Sequence, residues 1–326
     1  MKAIQITEVG GPEKLTLVDM DRPAPGAGEV LVRHTAIGLN FIDVYHRTGL
    51  YPQELPFTPG VEGVGVVEGV GADVDDLQAG DRVAYTGNGP VGSYREGRVL
   101  PSSRLYVVPD SIDDETAAAI MLKGCTVEYL VRRTYAVKSG DWVLLHAAAG
   151  GVGLLASQWL KALGAHVIGT VGSEEKAELA RANGCHHTIL YREQDVAQRT
   201  REITDGVGVH VVYDSVGAAT FEGSMASLRP RGMMVTYGNA SGPVEPMRPL
   251  VLAQGGSLFL TRPRLGDYYA SAEDAADGCA ALFEMVTSGK VRPHIGQTFA
   301  VEHVADAHRA LEARETVGST VLTVGS

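Results

Sequence analysis

The sequence predicts an α/β fold in which a doubly wound parallel sheet is joined to a smaller domain of curved antiparallel strands. Three observations carry that prediction. Residues 1 to about 120 hold short alternating segments punctuated by glycine and proline, as all-β regions do. From about residue 140, short apolar runs alternate with helical patterns, the signature of βαβ units. Between them stands His146-Ala147-Ala148-Ala149-Gly150-Gly151-Val152-Gly153, a glycine-rich turn with a strand before it and a helix after it.

In the first region, Glu29–Arg33, Gly63–Glu68 and Asp81–Ala84 have strand character, and Gly60, Gly63, Gly65, Gly69 and Gly71 suit a small curved sheet with bulges. The first parallel strand is expected at Val143–His146, where the apolar run suits a buried strand. After the turn, Val152 to Leu163 is apolar at helical spacing and stops at Gly164. Further strands are expected at His166–Val171, His187–Tyr191, His210–Asp214, Met233–Tyr237 and Ser257–Thr261. Helices fill the intervals, notably Ser173–Asn183 and a first turn near Phe221. From about Pro293 the pattern is strand-like again, with one helix over Val304–Ala313. The domains so read are residues 1–122 with 294–326, and residues 123–293.

Strand, glycine turn and helix together aim backbone N–H groups and the positive helix end at a pyrophosphate. The net charge of −11 argues against a general affinity for nucleic acid or anionic membranes. No apolar run approaches membrane-spanning length, and the N-terminus lacks the apolar core of a signal peptide. Cys125, Cys185 and Cys279 lie far apart in sequence, with neither zinc spacing nor a disulfide framework. A cytoplasmic protein is expected.

From Gly140 to Lys161 the chain reads Gly-Asp-x-x-Leu-x-x-x-Ala-Ala-Gly-Gly-x-Gly-x-x-x-x-Gln-x-x-Lys, which resembles the quinone oxidoreductase (ζ-crystallin) signature of the medium-chain dehydrogenase/reductase superfamily. Gly38–Asp43, Pro59–Gly63, Leu122–Thr126, Val212–Gly217 and Leu260–Pro263 extend the resemblance over nearly the whole chain. It implies a GroES-like β-barrel domain, a Rossmann domain and an active-site cleft between them. Ala148 stands where the usual fingerprint has its first glycine. Zinc-dependent relatives have a cysteine near position 40 and a histidine before the glutamate of Gly-His-Glu. Here the residues are Asn40 and Val61, neither a ligand that catalytic zinc selects, and Gly89 to Pro109 has no cysteine for a structural zinc. No metal is expected, and Glu62 reads as a retained structural carboxylate.

An NAD-preferring site ends its second strand in an acid that grips the ribose hydroxyls. Here that strand ends Thr170-Val171-Gly172-Ser173, and Lys176 follows one turn into the helix. The resemblance adds that this lysine and Tyr191 grip a 2′-phosphate, so NADPH is the expected cofactor. It also assigns cofactor contacts to Asn40, Thr126, Gly150, Gly151, Val152, Gly153, Gly172, Ser173, Tyr237, Gly238, Asn239, Arg262 and Arg314. Taken alone, Tyr237, Asp214 and Arg314 read more simply as structural residues.

Without metal, hydride transfer to a quinone rests on orientation and electrostatics. Under the same resemblance Tyr45 and Tyr51, with Asn40, form the catalytic set, the rings stacking on a planar acceptor while their hydroxyls hydrogen-bond or donate a proton. His46, His146, His186 and His187 have no evident co-ligands or partners in the sequence. Reduction of an enone or enoyl C=C remains an alternative, because related enoyl reductases carry their key tyrosine in a Gly-x-Tyr-Pro segment like that of Tyr51. A non-catalytic NADPH-binding protein of the lens-crystallin kind is a second. One-electron and two-electron transfer stay open. The resemblance finally implies a homodimer paired through the edge strand Ser257–Leu260.

Overall fold

A computed structural model describes residues 1–87 and 89–325. Its first elements are β1 (Lys2–Gln5), β2 (Thr16–Asp19), β3 (Glu29–Leu39), α1 (Phe41–Thr48), β4 (Gly63–Val70) and β5 (Arg82–Tyr85). They are followed by β6 (Gly97–Pro101), β7 (Tyr106–Val107) and α2 (Asp114–Tyr129), which runs on into a π-helical turn over Leu130–Thr134. An alternating stretch follows: β8 (Trp142–Leu145), α3 (Gly151–Ala162), β9 (His166–Val171), α4 (Glu174–Ala182), β10 (His187–Leu190), α5 (Val196–Ile203), β11 (Val209–Asp214) and α6 (Phe221–Ser227). It continues through β12 (Leu228–Thr236), α7 (Leu250–Gln254), β13 (Phe259–Thr261) and α8 (Leu265–Tyr268). The chain ends with α9 (Ala272–Thr287), β14 (Ile295–Ala300), α10 (Val304–Glu312) and β15 (Ser319–Thr323).

The chain divides into two compact units. One comprises Met1–Cys125, Tyr268–Thr287 and Pro293–Ser326; the other comprises Thr126–Asp267 and Ser288–Arg292. The sequence division differs at α9, which it assigned to the parallel-sheet domain. The reason is local packing in the first unit: the bare Gly124 on α2 makes room for Leu282 of α9, and the Cys125 and Cys279 sulfurs lie 3.8 Å apart.

In the first unit a sheet runs in the order β14-β15-β3-β4-β5-β7, with β6 also paired to β3. Strand β3 is its spine, and its pairing with β4 shifts register between Leu31 and Val32 and again between His34 and Ala36. Such bulges bend and twist a sheet. The C-terminal strand β15 lies antiparallel to β3, setting Thr320 opposite Leu39. Ile4, Ile37, Leu39, Tyr94, Val301, Val304, Ala307 and Leu322 form a buried cluster around this junction. The expectation of all-β texture needs correcting here, because α1 and most of α2 lie in this unit. Asn40 starts α1: its backbone N–H donates to the Asp43 carboxylate at 2.9 Å in a capping box, and Gly49 ends the helix at φ 81°.

The second unit is built on a parallel sheet in the order β10-β9-β8-β11-β12-β13. Val143, Leu144, Leu145, Val167, Ile168, Ile189, Val211 and Val212 are fully buried, as strands covered on both faces require. The chain winds outward from β8 to β10, returns beside β8 as β11, and winds outward the other way. That reversal lies between β8 and β11, where ligands of open α/β sheets gather at the carboxyl ends of the strands. Most expected elements occur within a residue or two of their expected limits. β12 is longer, beginning at Leu228, and β13 is shorter, because Ser257 at φ 59° interrupts the extended chain before Phe259.

Candidate active site

In the second unit β8 ends at Leu145 and α3 begins at Gly151, so the glycine turn lies at the carboxyl edge of the central strand. Ala147 is held at φ 52°, and its carbonyl accepts from Gly150 N–H at 2.9 Å. Ala148 N–H donates to Thr170 O on the β9 side at 3.1 Å, tying the turn to the neighbouring strand. Gly150 is the N-cap, and Gly151, Val152 and Gly153 make the first helical turn. Their N–H groups have no carbonyl to meet within the helix, which suits a pyrophosphate. Gly153 is obligatory in this geometry: a Cβ there would collide with Ala147 O and come within 2.7 Å of the Ala148 backbone.

The far end of a dinucleotide would meet the segment after β9. Ser173 caps α4, its hydroxyl accepting from Lys176 N–H at 3.4 Å. The Tyr191 hydroxyl, just past β10, lies where a Cβ on Gly172 would come within 2.9 Å of it. Gly172, Ser173, Lys176 and Tyr191 therefore lie at one edge of the sheet. Glu174, which could compete for a ribose, is engaged by Arg181 in a 2.5 Å ion pair.

Two of the other expected contact segments follow later strands of the same sheet. Tyr237-Gly238-Asn239 follows β12; Tyr237 N–H donates to Asp214 O at 2.8 Å, and Gly238 packs so tightly on Ser215 that a Cβ would overlap its carbonyl. Arg262 follows β13 and donates to Thr236 O at 3.0 Å. Thr126 lies on α2. Arg314 is in the first unit, at φ 60° just beyond the end of α10. Asp214 braces the loop after β11, accepting from Val216 and Gly217 N–H and from the Thr220 and Ser224 hydroxyls. His146 is buried behind the turn, bonded to the Thr170 and Ser224 hydroxyls at 2.9 Å each, and burial lowers its pKa.

In the first unit Asn40, Tyr45 and Tyr51 share one neighbourhood. Tyr45 lies on the helix that Asn40 caps, and its ring meets Tyr51 edge-on at 5.2 Å, with Phe41 at 6.3 Å on its other contact. Tyr51 N–H donates to Tyr45 O at 3.0 Å, which fixes the loop to the helix. Behind Asn40 lies Glu62, with no exposed surface, whose Oε1 accepts from Asn40 Nδ2 at 2.6 Å. Its Oε2 accepts from Leu122 N–H at 2.6 Å, and the buried Lys123 ammonium lies 3.5 Å from Oε1. A second buried set runs through Asp43, Tyr94, His308 and Arg47 to Glu312. Burial pushes the Asp43 carboxyl up to about 7, against the pull of its Tyr94 and Asn40 hydrogen bonds. Burial also pushes His46 down to about 4, and burial with the nearby Arg47 charge takes His308 to about 3.

Residues 26–110 match the model of the alcohol dehydrogenase GroES-like domain, and residues 151–273 match that of the zinc-binding dehydrogenases. A quinone oxidoreductase of Pseudomonas aeruginosa is 51% identical over 322 residues, 98% of this chain and 99% of its own. The chain belongs to the quinone oxidoreductases of the medium-chain dehydrogenase/reductase family. A 2-haloacrylate reductase of a Burkholderia species is 46% identical over 98% of each chain. The crystal structure of Escherichia coli quinone oxidoreductase complexed with NADPH superposes at a TM-score of 0.97, with 43% identity over 99% of this chain and 100% of that one.

Zinc-dependent members of the superfamily would require ligands at Asn40 and Val61. The donor set does not fit: Asn40 turns an N–H toward Glu62, and Val61 has no donor atom. Among the described residues no group of three or more His, Cys, Asp and Glu side chains could hold a metal ion. Among the described residues no helix is long and apolar enough to cross a membrane. Sequence reasoning missed Lys123 and the ties of Glu62, and no local pattern links positions 62 and 123. It also missed α1, although Asn40 with Asp43 three residues later is a helix-start signal. His166 stacks on Trp142 at 4.7 Å, His187 lies 5.8 Å from Trp142, and His186 lies 5.6 Å from His166.

Proposed function

We propose that this protein is an NADPH-dependent quinone reductase that works without a metal. The observation that carries the cofactor assignment is the edge formed by Gly172, Ser173, Lys176 and Tyr191, which has a cation and a hydroxyl where an NAD site has an acid. When bound, NADPH supplies the hydride. Gly150–Gly153 hold the pyrophosphate, Lys176 and Tyr191 hold the 2′-phosphate, and Tyr237–Asn239, Thr126, Arg262 and Arg314 contact the rest of the dinucleotide. Asn40, Tyr45 and Tyr51 orient nicotinamide and acceptor. The half-exposed Tyr51 ring, braced by the edge-on Tyr45, can lie against a planar acceptor, and the tyrosine hydroxyls can donate to a carbonyl oxygen as it gains charge. The bulged sheet of the first unit is read as the GroES-like barrel.

The second reading is reduction of an activated C=C. It is favoured by the 46% identity to the 2-haloacrylate reductase and by the Gly49-Leu50-Tyr51-Pro52 segment. Initial rates of NADPH oxidation with 1,4-benzoquinone, 9,10-phenanthrenequinone, a 2-alkenal and 2-chloroacrylate decide between them. Quinones are expected to be the better acceptors; a strong preference for either alkene overturns the assignment. A homodimer through β13 forms part of the proposal. This strand is the outer one of its sheet, with Phe259 and Leu260 exposed, as are Leu250 and Val251 of α7. Light scattering is expected to give a dimer at micromolar concentration, and a monomer would overturn the pairing. The buried free thiols agree with a reducing, cytoplasmic location.

A further inference from the structure

We infer that Glu62 is a positioning residue: together with Lys123 it locks the side-chain amide of Asn40, nitrogen inward and oxygen on the opposite side. Three features of the first unit support this. The Glu62 carboxylate is fully buried, and its 2.6 Å bond from Asn40 Nδ2 is short for an N–H donor. Lys123 Nζ faces the same Oε1 and also donates to Leu39 O at 3.2 Å, one residue before Asn40. Space has been left for the arrangement at Gly38, where a Cβ would overlap the Glu62 carboxylate and come within 2.5 Å of Ala118 O.

The chemistry follows from donors and acceptors. An ionised carboxylate only accepts, so the side of the amide facing it must be the N–H₂ side. A flipped amide would set oxygen against oxygen in a buried place, which is unfavourable. Lys123 and Leu122 N–H compensate the buried carboxylate; either charge alone would be expensive to bury. The Asn40 backbone is fixed separately, through its N–H to Asp43. Thus Asp43 sets where Asn40 stands, its N–H facing the side-chain oxygen in the capping box, and Glu62 holds the nitrogen side of the amide. In zinc-dependent relatives a metal ligand occupies the position of Asn40; here the buried ion pair orients the residue instead.

This inference rests on the assignment of Asn40 to the cofactor and acceptor machinery. The test is a double-mutant cycle in the full-length enzyme, using N40D, E62Q, the N40D/E62Q pair and N40A. Readouts are quinone-reduction kcat, the NADPH dissociation constant, the isotope effect with NADPH deuterated at C4, and Tm. E62Q frees the amide to flip, so kcat should fall about tenfold or more, with a larger isotope effect and little change in NADPH affinity. N40D sets two carboxylates face to face and should lose more. The pair exchanges donor and acceptor while leaving oxygen as the outward atom of residue 40, so it should regain at least ~10-fold over N40D. A double variant no better than N40D overturns the inference, as does an E62Q that loses Tm but keeps kcat and the isotope effect. If E62Q does not fold, the double variant decides alone, because it keeps a donor–acceptor pair. If N40A leaves quinone turnover intact, the assignment of Asn40 falls and the inference with it.

Discussion

Around Gly150–Gly153 the polar groups that matter belong to the backbone, whereas around Asn40 they belong to side chains buried with their charges. The first arrangement is kept by bare glycine positions and a residue at positive φ. The second is kept by Glu62, Lys123, Asp43 and their donors, drawn from positions between 39 and 123. A site built from backbone is robust to pH and fragile to added volume. A site built from buried side chains has the opposite weaknesses.

The largest expected effect tests the first half of that contrast. In Gly153→Ala the new methyl group meets the backbone of Ala147 and Ala148, which cannot move without opening the turn. Overpacking of this kind costs about 1–3 kcal/mol. Affinity for NADPH and for NADH should both fall ~10–100-fold, as measured by fluorescence titration. An alanine variant that binds either cofactor normally would break the picture of a backbone cradle.

The contrast also explains what could be read in advance. The turn and its sheet were legible because their signals are local: an apolar run, small residues, then helical spacing over Val152–Leu163. Gly172 and Lys176 were placed by the end of the second strand and Tyr191 by the family resemblance, and strands that run parallel bring them to one edge. The Asn40 surroundings were less legible because their partners are remote in sequence. Nothing at Val61-Glu62-Gly63 announces Lys123, and a proximity of Cys125 to Cys279 across 154 positions leaves no trace in spacing. Helix α2 was missed for another reason. Ala117–Met121 are all fully buried, so this stretch of helix is covered on every side and lacks the one-sided apolar periodicity of a surface helix.

A smaller and more selective effect is expected from Lys176→Ala, which separates the two ends of the nucleotide site. Loss of a charge-assisted contact to a phosphate is worth about 1.5–3 kcal/mol. NADPH affinity should fall ~10–100-fold, while NADH, which lacks the 2′-phosphate, should change less than about threefold. Equal losses for both cofactors would remove Lys176 from phosphate recognition and return it to a general role at the start of α4.

The smallest effect tests the second half of the contrast, the cost of burying titratable groups. His308 has a folded pKa of about 3 against the ordinary histidine value of 6.5, because burial and Arg47 oppose its charging. A depressed histidine binds fewer protons folded than unfolded, so its stabilising share is present above pH 6.5 and is lost as pH falls toward 3. His46, at about 4, acts in the same direction. Asp43 acts in the other: raised from 3.8 to about 7, it favours the folded state at low pH, and that share is lost as pH rises through 7. Below pH 6.5 the histidines therefore pull stability down with acid while Asp43 offsets part of the fall. In His308→Gln the amide can still accept from Arg47 but cannot be protonated. Its Tm at pH 7.5 should be a few degrees below that of the parent, and the gap should close by pH 5 as the parent alone pays about 1.4 kcal/mol per pH unit at this site. Thermal melts at intervals from pH 5 to pH 8 give the slope directly. Parallel curves for the two proteins would mean that acid sensitivity does not originate in this buried set, and that the side-chain-built half of the molecule tolerates pH as well as the backbone-built half.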